Sequence, residues 1–278
     1  MEKRYGESLD DWQPQISKSE NLSKSSVAEV LYSEASRLNG EKRHKEALAL
    51  INVAIENDET VFEYYNLKGI VLENLNRFKE SRDSYHKALE LESNEEIYEN
   101  MARMLYRWAN TLNDKNKALE LIEEAILILP SKSMENYHER FWYLKGSILD
   151  CLSRPIESRR AYLIAEGFTD EIKELDEQVE FLKSSKDTLI NITGTRFYSG
   201  LEVFEKGMTV DLIREDDNEH DPDAIRVELE GKTVGYVANN EYTLIDNVKS
   251  ATEIRKLDNK KAEVMLIYLD EYVIARLV

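Results

Sequence analysis

The chain has 278 residues, 42% of them apolar and 33% charged, which is enough apolar content for a buried core and, at roughly 100–200 residues per domain, enough length for two domains or one domain plus a repeat array. Lys and Arg number 37 against 55 Asp and Glu, a net charge of −18; this excludes broad electrostatic wrapping of duplex DNA or of an anionic membrane, both of which reward a basic face, and leaves room only for a small local basic pocket. A single cysteine, Cys151, and the scattered His44, His86, His138 and His220 exclude an internal disulfide and a structural zinc site.

Residues 1–25 are rich in Ser, Glu and Lys and carry Glu2, Lys3, Arg4, Asp10, Asp11 and Glu20, so they read as a mobile tail without the apolar core of an export signal. No stretch approaches the roughly 18 apolar residues that a membrane span requires. The expectation is a cytoplasmic protein that does not engage membranes.

From residue 26 to 186 the sequence repeats. Setting Ala35 against Gly69, Leu38 against Leu72, Ala47 against Ser81, Ile51 against Tyr85 and Ala54 against Ala88 aligns the chain with itself at a shift of 34 residues. Small and large residues recur at fixed offsets, as in helical hairpins whose small side chains stand where two helices cross and whose large ones fill the space beside the crossing. A second self-match sets Leu67-Lys68-Gly69 on Leu144-Lys145-Gly146 at a shift of 77, carrying Arg77 onto Arg154, Glu80 and Ser81 onto Glu157 and Ser158, Tyr85 onto Tyr162 and Ala88 onto Ala165. A looser copy between them holds Ala118, Ile122, Ala125 and Pro130, so about four hairpins are predicted. Tyr32, Tyr64, Tyr65, Trp142 and Tyr143 read as core or groove packing, and Cys151 as a small buried hydrophobe in the first helix of the last hairpin. Thr169–Lys186, with Ile172, Leu175, Val179, Phe181 and Leu182 among many charges, reads as a polar helix capping the array.

The period of 34 with small residues at fixed places resembles tetratricopeptide (TPR) repeats over about residues 28–168. That resemblance implies an all-α solenoid whose concave face, lined by the first helix of each hairpin, holds a peptide or a partner protein. One TPR subgroup clamps a terminal carboxylate with Lys and Asn on those helices. Here the places carry Glu29, Tyr32 and Ser36, then Glu63, Asn66 and Ile70, so no such clamp is expected.

After Lys186 the pattern changes to two-residue alternation, and half of the ten glycines fall in 188–278. Ile225, Val227 and Leu229 alternate with Arg226 and Glu228, a half-buried strand by pattern. Leu189–Phe197, Met208–Glu215, Thr233–Val237, Lys261–Leu269 and Tyr272–Val278 are the other predicted strands, with one helix over Glu241–Arg255. Many short strands with one helix predict a small, partly open barrel.

In this second domain the pieces Thr193-Gly-Thr-Arg-Phe-Tyr-Ser-Gly200, Leu212-Ile-Arg-Glu-Asp-Asp-Asn-Glu-His-Asp-Pro-Asp-Ala-Ile-Arg-Val227 and Val234-Gly-Tyr-Val237 together resemble the HIRAN domain in order and spacing. The whole chain is therefore expected to be a multidomain α + β protein: a TPR-like helical-hairpin solenoid followed by a β-barrel-like HIRAN domain with one helix. In DNA-remodelling proteins the HIRAN domain captures the free 3′ end of single-stranded DNA, so the resemblance implies a nucleic-acid-end pocket formed by Arg196, Phe197, Tyr198, Asn218, His220, Asp221, Tyr236 and Asn239. Arg196 suits a backbone phosphate, and Phe197 or Tyr198 a terminal base. Asp221 can accept the hydrogen of a 3′-hydroxyl and repel a 3′-phosphate, and Asn218 can bond the last nucleotide. His220 and Asn239 stand where the DNA-end binders carry a second stacking aromatic and a phosphate-contacting lysine. A second reading of Asn218, Asp221 and Pro222 is a turn in which Asn and Asp bond their own backbone, and of Arg196 and Phe197 a surface charge and a core aromatic.

The acidic run Glu215–Asp223 fails the calcium-loop pattern, having Pro222, no glycine and Val227 where a bidentate Glu belongs. No phosphate-binding glycine loop, catalytic triad order or metal cluster appears, so the chain is expected to be a non-enzyme without cofactor or metal. The function expected is that of an adaptor, with a protein partner on the TPR array and a single-stranded DNA end on the HIRAN domain in DNA repair or processing. The alternative is a purely protein-binding scaffold with a structural or peptide-binding HIRAN barrel.

Overall fold

The turn that closes a helical hairpin recurs along the first part of the chain. Lys42, Asn76 and Ser153 each adopt the left-handed conformation, with φ of 63°, 58° and 55°. The arginine that follows each returns its N–H to a leucine carbonyl: Arg43 to Leu38 at 2.9 Å, Arg77 to Leu72 at 2.9 Å and Arg154 to Leu149 at 3.0 Å. Each arginine then grips a glutamate three residues on, Glu46, Glu80 and Glu157, its Nε and Nη2 each donating to one carboxylate oxygen. A tight left-handed corner followed by a charge-locked first turn starts the second helix of the pair in one direction only.

The computed structural model describes residues 23–240, 242–258, 260–269 and 271–278, so nearly all of the predicted tail lies outside the described residues. Successive helix pairs are α1 (Lys24–Gly40) with α2 (His44–Asn57), α3 (Phe62–Asn74) with α4 (Phe78–Leu91), and α5 (Glu95–Thr111) with α6 (Lys115–Ile128). Helices α7 (Met134–Cys151) and α8 (Pro155–Glu166) are joined by Ser158 Oγ donating to Gly146 O at 3.0 Å. Ser81 Oγ donates to Gly69 O at 2.8 Å in the same manner, so the two stretches that match in sequence also match in bonding. The small residues stand at the crossings as predicted: Ala35, Ala47 and Ala54 are wholly buried, and so are Ser81 and Ala88. A Cβ on Gly69 would lie 2.7 Å from the Tyr85 ring, which explains the glycine there. Cys151 is exposed rather than buried, because it ends α7 at the position that Asn74 occupies in α3, past the last helix crossing. No helix among the described residues is long and apolar enough to cross a membrane.

The contacts divide the chain into two units, the second being Tyr162–Val278. Helix α9 (Thr169–Ser184), predicted as the cap of the array, falls within that second unit and touches one of its strands, β5 (Lys261–Tyr268). The remaining strands are β1 (Leu189–Thr193), β2 (Thr209–Arg214), β3 (Ile225–Leu229), β4 (Lys232–Val237) and β6 (Tyr272–Leu277). They run β1-β4-β3-β2-β5-β6, every neighbouring pair is antiparallel, and β6 returns to β1 with Leu189 opposite Arg276. The barrel is closed, where the strand pattern predicted a partly open one. Ile190, Ile192, Val210, Leu212, Ile225 and Val227 are among the side chains that fill it. Gly235 permits the β1–β4 contact, since a Cβ there would lie 2.8 Å from Thr193 O.

Two predicted elements end early for local reasons. Strand β1 stops at Thr193 because Gly194, at φ 73°, turns the chain into a 3-10 turn over Thr195–Phe197. Of the helix predicted over Glu241–Arg255, only α10 (Ala251–Ile254) forms; Glu241 lies outside the described residues. Asn240 instead holds a turn, its Oδ1 accepting from Tyr242 N at 3.0 Å and its carbonyl from Thr243 N and Leu244 N. Asn247 then turns left-handed (φ 66°), and Ser250 with Glu253 forms a capping box that begins α10. This segment straps across β1, where the fully buried Asn191 donates Nδ2 to Thr243 O at 2.8 Å and Lys249 N donates to Leu189 O.

Candidate nucleic-acid interface

The 3-10 turn that follows β1 presents three side chains outward in succession. Arg196 lies over the Phe197 ring, 4.8 Å from its centroid, and has no ion-pair partner among the described residues. Phe197 is 73% exposed, too much for the core aromatic that was one reading of it. Tyr198 is exposed too, and its ring meets that of Tyr236 on β4 at 6.2 Å with a 44° tilt. A guanidinium on one aromatic ring beside a tilted aromatic pair offers a cation and stacking faces within a few residues.

The aromatic pair is anchored through Glu215, just past β2. Tyr236 Oη donates to Glu215 Oε2 at 3.2 Å, Asn218 Nδ2 donates to the same oxygen at 2.8 Å, and Arg226 holds Oε1 while its Nε reaches Glu228 at 2.9 Å. Burial pushes the Glu215 carboxyl up, but the hydrogen bonds from Asn218, Arg226 and Tyr236 outweigh it and hold the carboxyl below its ordinary range. Burial, reinforced by the Glu215 carboxylate and by Tyr198, pushes the Tyr236 hydroxyl up to about 12, so it stays a donor.

Beyond Glu215 the acidic loop is bonded to itself and to α10. Asn218 Oδ1 accepts from His220 N at 2.9 Å and Asp221 N at 3.0 Å, and Asp221 Oδ1 accepts from Asp223 N at 2.9 Å. Asn239 Nδ2 donates to Asp221 Oδ2 at 2.8 Å, while Asn239 Oδ1 accepts from Thr252 N at 2.9 Å. Thr252 Oγ1 donates to Asp223 Oδ2 at 2.6 Å, and Arg255 pairs with Asp216 and, at 3.7 Å, with Asp223. Asn218 and Asp221 thus carry the turn geometry of the second reading. Asp221 keeps acceptor capacity nonetheless, since an ionised carboxylate has about four lone-pair sites and these bonds use two.

Glu215 links the sequence-predicted residues into one chain of contacts, Tyr198–Tyr236–Glu215–Asn218–Asp221–Asn239, with Arg196 and Phe197 at its exposed end. His220 contributes its backbone N–H to the turn and leaves its ring exposed. Glu215, Thr252 and Arg255 join the network although they are not among the site residues that the sequence predicts. Glu215 lies within the second of the motif pieces together with Asn218 and Arg226, but its bond to Tyr236 joins that piece to the third, a relation that spacing within one piece does not display.

The family model of the HIRAN domain matches residues 186–254. The second unit carries a HIRAN domain. The matched stretch takes in β1 to β4 and α10, and β5 and β6 lie beyond it yet complete the barrel around the HIRAN core. The chain is also similar to a DnaJ protein P58IPK homolog of Arabidopsis thaliana, 33% identical over 110 residues. That match takes in 36% of this chain and 23% of the relative, so the chain spans less than a quarter of the length of this curated protein. Among solved structures it is similar to MamA (14% identity, 62% of this chain and 88% of that one, TM-score 0.41). It is also similar to PilF of Pseudomonas aeruginosa (14%, 58% and 72%, TM-score 0.35) and to YrrB, described as a TPR protein with an unusual peptide-binding site (14%, 61% and 97%, TM-score 0.33). At those scores the likenesses add nothing to the repeated turns and crossings described above, on which the TPR-like reading of the array rests.

Proposed function

We propose that the protein is a non-catalytic cytoplasmic adaptor whose TPR-like array holds a protein partner while its HIRAN domain recognises a nucleic-acid end, the 3′-hydroxyl of single-stranded DNA, in DNA repair or processing. The observation that carries this reading is the exposed Phe197 ring under Arg196, beside the Tyr198–Tyr236 pair and joined through Glu215 to Asp221. A terminal base stacks on an exposed ring, the guanidinium takes the adjoining phosphate, and the Asp221 carboxylate accepts from a hydroxyl and repels a phosphate. The net charge of −18 supports a short local contact in place of long-range attraction.

Fluorescence anisotropy tests the reading: labelled single-stranded DNA with a free 3′-hydroxyl, and the same strand blocked by a 3′-phosphate, are each titrated with the full chain at low salt. Tighter binding of the free end is expected, with loss on Phe197→Ala or Asp221→Ala. Equal binding of both strands by the protein and both variants refutes the pocket. A second reading, a protein-only scaffold, draws on Asn239, whose amide bonds Asp221 and Thr252 in place of contacting a phosphate. Co-purification of one stoichiometric protein, insensitive to nuclease, favours that scaffold.

A further inference from the structure

The first helices of the pairs touch one another in succession, α1 on α3 and α3 on α5, and are stitched by polar contacts one repeat apart. Asn74 Nδ2 donates to Asn39 Oδ1 at 3.2 Å and Asn100 Nδ2 to Asn66 Oδ1 at 3.2 Å, while Tyr32 and Tyr64 meet at 5.2 Å between ring centroids. Each of these helices also carries an exposed glutamate at repeat spacing, Glu29 on α1, Glu63 on α3 and Glu96 on α5, the last beside the exposed Glu95. None of the three has an ion-pair partner among the described residues, whereas Glu34, Glu46, Glu80, Glu124 and Glu157 are each held by an arginine. Glu29 stands three residues before Tyr32 on the same face of α1, and α3 and α5 carry Glu63 and Glu96 one and two repeats along. The Tyr32 hydroxyl is pushed up by burial and then by Glu63 and Glu96, and that of Tyr64 by burial and then by Asp58, Glu29 and Glu63. Lys132, which pairs with Glu95, offsets part of the Glu96 charge; the remaining like charges repel, and a cation that joins them lowers the free energy of the complex.

We infer that the face formed by α1, α3 and α5 docks an extended, basic segment of a partner protein, with a Lys or Arg side chain laid against Tyr32 and its charge among Glu29, Glu63 and Glu96. This rests on the adaptor reading and names the chemistry of the partner that the array holds. The half-buried Tyr32 ring supplies a face for the aliphatic stem and a cation–π contact, the carboxylates supply the charge, and the Asn66–Asn100 amide pair lies one repeat along the same layer. A carboxylate-terminated partner, by contrast, meets repulsion on this face.

The test uses the full chain and three fluorescein-labelled peptides of equal length, alternating serine with arginine, glutamine or glutamate, at low salt. The arginine peptide alone is expected to bind, roughly tenfold more weakly to the combined Glu29→Gln, Glu63→Gln and Glu96→Gln variant, and more weakly still with added salt. Tyr32→Leu, which keeps apolar volume, is expected to weaken binding too. The variant Glu46→Gln with Glu80→Gln, which removes carboxylates already held by arginine, is expected to bind as the unaltered chain does. Equal weakening in both glutamine variants overturns the inference in favour of a diffuse field effect. Binding of the glutamine peptide that is lost on Asn66→Arg overturns the inference and leaves the array as a holder of proteins, whereas no binding of any peptide counts against both. Thermal unfolding of each variant checks that the array is folded.

Discussion

Asn239 donates one hydrogen of its amide to Asp221 at 2.8 Å and accepts the Thr252 N–H at 2.9 Å, so one side chain just past β4 fastens the acidic loop to the start of α10. Replacing it by lysine removes both bonds and places an ammonium beside Asp221. The stability of the second unit is expected to fall by about 0.5–1.5 kcal/mol in urea unfolding, the net worth of the lost bond to Thr252 N. Single-stranded DNA binding is expected to tighten, with a salt dependence steeper by about 0.7 log units per log unit of salt if one phosphate contact is gained. An unchanged salt slope places residue 239 away from the nucleic-acid backbone.

Phe197 separates binding from folding. With 73% of its surface exposed, its truncation to alanine is expected to change stability by less than about 0.5 kcal/mol. The same change is expected to weaken single-stranded DNA binding by about 1–3 kcal/mol, the value of one stacked base. Paired thermal-unfolding and anisotropy measurements read the two effects, and a large drop in melting temperature contradicts the exposed placement.

Glu215 gives the site an acid limit. Its carboxyl is held below the ordinary value of 4.5 in the folded protein, so its contribution to stability is complete above that value and is lost as pH falls through the depressed one. Glu215→Gln is therefore expected to be less stable than the unaltered protein at neutral pH, the difference shrinking steadily below about pH 4.5. Melting temperatures across this range check it; a difference that persists at the acid end assigns the effect to lost packing.

Gly69 and Gly40 make a matched pair of tests in the array. Gly69→Ala forces a methyl to within 2.7 Å of the buried Tyr85 ring and is expected to destabilise by about 1–3 kcal/mol. Gly40→Ala, at the end of α1 with nothing within 4 Å of the new carbon, is expected to stabilise by about 0.4–1 kcal/mol. Chemical denaturation of both variants reads the signs directly.

The array was legible in the sequence because its contacts repeat: the shift of 77 that carries Gly69 and Ser81 onto Gly146 and Ser158 reappears as one hydrogen bond made twice. The strands were legible from alternation, as in Ile225 and Val227, which face the barrel core beside the outward Arg226 and Glu228. Features set by distant partners were not. Closure of the barrel rests on β6 meeting β1, and the short α10 rests on Asn240, Asn247 and Ser250 turning a stretch whose composition suits a helix. In the site, the motif singled out Arg196 and Phe197 but left open whether Phe197 belongs to the core, and the hub role of Glu215 requires Tyr236, Asn218 and Arg226 to converge on it in space.

The pairing of β1 with β6 also orders events during synthesis. Each hairpin of the array is complete within a few tens of residues and can fold as it leaves the ribosome, because its contacts are local. The barrel cannot shut until Arg276 arrives opposite Leu189, so β1 to β4, the aromatic platform among them, wait as an open sheet with unpaired edges. That interval is when a nascent chain is most exposed to edge-to-edge association with its neighbours, and it lengthens where translation slows between residues 237 and 276.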